Sequence, residues 1–142
     1  MRKLALILVL LAPVLSFAGH EESLEQLKAR AEAARPADQP GLFLNIADRQ
    51  LQNANEAFTA GNTEQGQQAV AEVVSYAERA GEAARVSGKH LKHTEIHVRK
   101  IAQRLDDIRR TLNFEDRAPL QQASDRLEHV RAELLTRMFE HK

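Results

Sequence analysis

The sequence predicts an all-α fold, an antiparallel helical bundle of coiled-coil-like hairpins around one long central helix over about 63–113. Three observations carry this. Apolar residues recur at three- and four-residue spacing in four segments, and no stretch alternates with the period of two that a half-buried strand needs. Between seams the chain is dominated by Ala, Leu, Glu, Gln and Arg, all good helix formers. Pro36, Pro40 and Gly41 precede the second segment, Gly61 follows it, and Pro119 opens the last one.

The first segment, Glu21 to Ala34, places Leu24, Leu27, Ala31 and Ala34 on one face. It is short and weakly apolar, which predicts loose docking. Pro36 and Pro40, with Asp38 and Gly41, are expected to break the helix and form a linker. The second segment spans residues 42–60, with Leu44, Ala47, Leu51, Ala54 and Phe58 in a stripe widened by Phe43 and Ile46. Gly61 should end it as a C′ residue, and Asn62 with Gln65 suggests a capping box for the next helix.

From Thr63 onward, Val70, Val73, Ala77, Ala80, Ala84 and Ser87 form a seam. Leu91, Thr94, Val98, Ile101, Leu105, Ile108 and Leu112 continue it in one heptad register. That continuity predicts one helix of roughly 50 residues, on the order of 75 Å long. Gly88 would cost it about 1 kcal/mol relative to alanine, and a kink or turn near 87–88 is the alternative.

The periodicity stops around Asn113 to Asp116, and Pro119 then marks the first turn of a last helix over 117–140. Leu120, Ala123, Leu127, Val130, Leu134 and Met138 form its stripe, which should fold back antiparallel on Leu91 to Leu112. The connecting loop sets a register in which residue numbers across the pair sum to about 232.

The αα-hairpin around Gly61 carries Ala54, Gly61, Gly66 and Val73 at small or apolar positions. In these it resembles one tetratricopeptide-type hairpin, over about thirty residues. The aromatic positions and closing proline of that family are missing, and the unit does not recur.

Met1-Arg2-Lys3, the apolar run from Leu4, and Ser16-Phe17-Ala18 read as a signal peptide over 1–18, cleaved after Ala18. The run is short of the roughly 20 residues that span a bilayer, so no stable membrane span is expected once it is removed. Residues 19–41 then form the short helix and linker, and 42–142 the helical domain. The expected location is exported, periplasmic or extracellular. With no cysteine, neither disulfides nor lipid attachment to a thiol can contribute.

Charge divides unevenly. Residues 19–87 hold 6 basic and 11 acidic side chains, residues 88–142 hold 12 and 9 with five of the six histidines. Solvated helix faces explain most of this, while segment 89–110 allows a weak contact with an anionic surface. Nucleic acid is not expected as a partner, because no aromatic residue interleaves these cations.

His90, His93 and His97 share one helix face, and His93 and His97 stand at the i, i+4 spacing that offers two imidazoles to one metal. The antiparallel register brings His141 near His90 and His93, so these four are the candidate metal ligands. His129 would face the level of Gln103 and Arg104 instead. The competing reading is a solvated face, since Lys89, Lys92, Arg99 and Lys100 would repel a divalent ion.

No Glu-x-x-His pair, Cys-x-x-Cys-His or glycine-rich phosphate loop occurs, and no serine sits in a nucleophile motif. No enzyme activity and no cofactor are therefore expected. The sequence predicts an exported structural or interaction module with a protein partner or self-association. The alternative is a periplasmic metal- or ligand-binding helical protein that uses the histidine face.

Overall fold

The computed structural model describes residues 22–140. The proposed signal segment, its cleavage after Ala18, and His141 lie outside the described residues. Five α-helices and one 3-10 turn make up the rest: α1 (Leu24–Ala33), α2 (Gln39–Thr59), α3 (Thr63–Ser87), α4 (Leu91–Thr111), the turn Phe114–Asp116, and α5 (Ala118–Phe139). No strand occurs among the described residues.

Each boundary has a local cause. Ser23 opens α1 through a reciprocal capping box, its Oγ accepting from the Gln26 amide at 3.1 Å while Gln26 Oε1 accepts from the Ser23 amide at 3.0 Å. Ala34 is extended and ends the helix ahead of Pro36. Pro40 does not act as the breaker the sequence suggested. It lies in the first turn of α2, where its missing N–H costs nothing, and it is buried, so α2 starts three residues earlier than expected. A Schellman motif closes α2, with Gly61 N–H donating to Phe58 and Asn62 N–H to Ala57. Gly61 is thus the C′ residue the sequence indicated, whereas Asn62 makes no side-chain cap on α3.

The single central helix is corrected by the structure. α3 stops at Gly88, which has φ 66°, and His90 is also left-handed at φ 60° before α4 begins. The turn satisfies its own polar groups: Ser87 Oγ donates to the Ala83 carbonyl at 2.7 Å and accepts from the Lys89 amide at 3.2 Å, and Arg137 Nε donates to the Arg85 carbonyl at 3.3 Å. Heptad phase counts letters and is blind to where the backbone turns. Both halves of the register are nevertheless buried, from Val70 to Ala84 in α3 and from Thr94 to Ile108 in α4.

α2 to α5 run alternately up and down. α2 packs along α3, α3 along α5, and α5 along α4, while α4 touches α2 more lightly. α3 and α4, though consecutive in sequence, contact each other less than either contacts α5. The core is correspondingly shared by all four, with Leu44, Leu51, Val73, Val98, Ile101, Leu105, Leu120, Leu127 and Leu134 essentially inaccessible. Burying each such side chain contributes about 1.5–3 kcal/mol relative to exposure.

α1 lies antiparallel on α2, and its docking is firmer than its composition suggested. Leu27 and Ala31 are fully buried. Gln39 Nε2 donates to the Ala31 carbonyl at 3.2 Å at one end, and Arg49 donates to the Glu22 carbonyl at the other. Lys28–Glu72 and Arg79–Glu32 ion pairs tie the same helix to α3.

Candidate functional site

Of the four predicted metal candidates, the structure brings two together. His93 and His97 meet edge-to-face with ring centroids 6.0 Å apart. His97 Nε2 lies 2.8 Å from Asp48 Oδ2 of α2, so this imidazole also clasps α4 to α2. His90 stands apart in the exposed turn before α4. Among the described residues no group of three or more His, Cys, Asp or Glu side chains is placed to hold a metal ion.

The α4–α5 register differs from the predicted one. Arg131 bonds to Glu95, with Nε and Nη2 at 3.0 and 2.9 Å from Oε1, whereas the predicted pairing put it level with Ile101. Glu95 is buried at 6% exposure and is satisfied only because this guanidinium reaches it. His129 therefore turns away from Gln103 and Arg104, and pairs within α5 with Glu133 at 2.8 Å. Glu133 in turn reaches Arg85 of α3 at 2.9 Å.

One apolar concavity was not singled out by the sequence. It is a groove of about 570 Å³ between α3 and α5, lined also by Pro36 and Phe43. Gly81 makes the groove shallow on its α5 side, since a Cβ there would sit 2.7 Å from Val130 Cγ1. Ala83, Val86 and Val130 line it, and Val86 is 71% exposed. Charged residues of both signs rim it: Glu78 pairs with Arg126, Glu82 with Arg85, and Arg79 stacks 4.4 Å from the Phe43 ring centroid. A sequence signal for this groove existed. Val86 is the one large aliphatic residue of α3 that lies off the heptad seam and outside the core.

A second large hydrophobic side chain, Phe114, is 85% exposed in the turn that follows α4. Comparison with known protein families, curated proteins and solved structures returns no match in any of the three. The functional reading therefore rests on these surfaces alone.

Proposed function

We propose that this chain is an exported, non-catalytic interaction module whose α3/α5 groove takes an amphipathic helix of a protein partner. The observation that carries the reading is the likeness between the surface that α1 covers and the α3/α5 groove. α1 already packs along α2, with Leu27 and Ala31 as buried apolar anchors and ion pairs that reach α3 at its edge. The α3/α5 groove offers the same elements, an apolar floor at Ala83, Val86 and Val130 with rim charges of both signs, and lacks the helix. Helix-in-groove recognition uses such a surface, with anchors at three- and four-residue spacing.

A photo-reactive amino acid at Val86, introduced into the full-length protein in its native compartment, tests this. The expected result is a discrete crosslink to one protein through a segment of helical periodicity. A crosslink to a second copy of the chain, or none at all, would sink the reading. Mass analysis of the same material checks export, with a mature amino terminus expected at Gly19.

A second reading, metal binding on the histidine face, is supported by one observation: His93 and His97 meet at 6.0 Å, with a carboxylate orienting His97. Zinc titration of the protein and of a His93→Ala/His97→Ala variant separates the two readings. Equal affinities would remove this one.

A further inference from the structure

We infer that the solvent face of α4 is a contact surface for anionic lipid head groups, which its cations meet as a row. This surface is distinct from the α3/α5 groove, and neither proposal depends on the other.

In the sequence, segment 89–110 mixes seven basic residues with three acidic ones. The fold pairs each of the three acids with a cation. Glu95 turns inward and is neutralised by Arg131 from α5. Asp106 pairs with Arg109 at 3.2 Å, and Asp107 with Arg110 at 3.8 Å. That leaves Lys89, Lys92, Arg99, Lys100 and Arg104, all exposed, with no carboxylate partner among the described residues. On a helical wheel Lys92, Arg99, Lys100 and Arg104 fall within an arc of about 140°. From Lys92 to Arg104 the row runs on the order of 18 Å at 1.5 Å per residue, with Lys89 in the turn just before it.

The neighbouring element reinforces the sign. Arg49 of α2 lines the shallow groove that Lys100 and Arg104 share with His97. The carboxylates bordering the face are engaged, Asp48 with His97 and Asp38 with Arg35. The whole chain has a formal net charge of zero, so the row is a local feature and not a consequence of a basic protein.

Three observations favour a lipid surface over other polyanions. The cations are spread along a line and do not converge on a pocket, which suits a plane of phosphates. Along α4 the face presents no Phe, Tyr or Trp side chain on which bases could stack. The turn directly after this helix holds out Phe114, an apolar side chain of the kind that enters the head-group boundary beside basic residues. An acidic protein partner would need a desolvated apolar centre, and every exposed position of this face is polar, the paired Asp107 and Arg110 included.

The test is sedimentation with vesicles of phosphatidylcholine alone and of phosphatidylcholine mixed with phosphatidylglycerol. Binding is expected only to the anionic vesicles, and is lost at about 0.5 M salt as screening shortens the range of the charges. Each cation is worth about 1 kcal/mol near such a surface, or about fivefold in partition. Lys92→Gln/Arg99→Gln/Lys100→Gln should therefore bind about 100-fold more weakly. A control that removes the same charge elsewhere, Lys28→Gln/Arg35→Gln/Arg126→Gln, should keep its binding.

The chain has no tryptophan, so Phe114→Trp provides a lone reporter whose emission should move to the blue on anionic vesicles. Absence of binding at low salt overturns the proposal, as does equal loss in the control variant. Binding to a soluble acidic polysaccharide but not to vesicles overturns it too. An unmoved emission on bound protein overturns the orientation with α4 and its turn against the lipid.

Discussion

At the residue scale, single side chains hold the joints of this bundle. Gly88 adopts φ 66° where α3 ends, a conformation that puts an L side chain too close to its own carbonyl. Gly88→Ala should destabilise by about 1–2 kcal/mol in urea unfolding. An unchanged midpoint would show that the turn is not held in this geometry. Glu22 gives a pH-dependent counterpart. Arg30 grips its carboxylate with contacts of 2.8 and 2.9 Å. That hydrogen bond holds the Glu22 carboxyl below its ordinary 4.5, against the opposing effect of burial and with the charges of Arg30 and Arg49 adding to it. Because the folded value is the lower one, the stabilisation is present above about pH 4.5 and fades as pH falls through the folded value. The Tm difference between wild type and Glu22→Gln should be largest near neutral pH and shrink on acidification. A difference that grows toward pH 3 would contradict the assignment.

At the scale of elements, α1 is the piece whose order depends most on tertiary contacts. Ten residues are too few for a stable isolated helix, so its helicity comes from Leu27 and Ala31 in the core and from the anchors at its two ends. Leu27→Ala should cost about 2–5 kcal/mol. Amide exchange would show that cost concentrated in α1, with the α4–α5 pair keeping its protection. Uniform loss of protection would mean that α1 unfolds only with the whole domain. The α4–α5 pair illustrates what periodicity can and cannot say about an element. Its seams, Val98 to Ile108 and Leu120 to Leu134, were legible because large apolar residues repeat at helical spacing. Its register was not, because loop length alone sets it loosely, while Glu95 must find Arg131 or remain a buried unpaired charge.

At the scale of the molecule, the break at Gly88 converts a rod into a bundle. Spin labels at Glu64 and Arg110 would sit about 69 Å apart on one continuous helix. With α3 descending and α4 returning, both positions lie at the same end of the bundle, and a separation below about 30 Å is expected, roughly a small-domain diameter. A long-distance population would restore the single helix. The candidate surfaces follow from the same topology. α4 meets α2 only lightly, which leaves its cationic side to solvent. α5 meets α3 at Gly81 and leaves the apolar groove beside it uncovered.

The division between chain and fold is therefore physical. Helical class, the apolar stripes, the glycine turn at Gly61 and the start of α5 near Pro119 were determined by the sequence, because each depends on residues within a turn or two of one another. Where the helices meet was decided only by the tertiary structure. The turn at Gly88 forms because two apolar seams bury more surface against α2 and α5 than they could along a straight rod. Glu95 leaves the cations of segment 89–110 unopposed because its partner, Arg131, arrives from α5, while Asp106 and Asp107 pair within the segment with Arg109 and Arg110. The His93–His97 pair was visible as spacing, yet only packing revealed Asp48 behind it. Local periodicity sets what each segment is. Burial and charge neutralisation across the whole chain set what its surface offers.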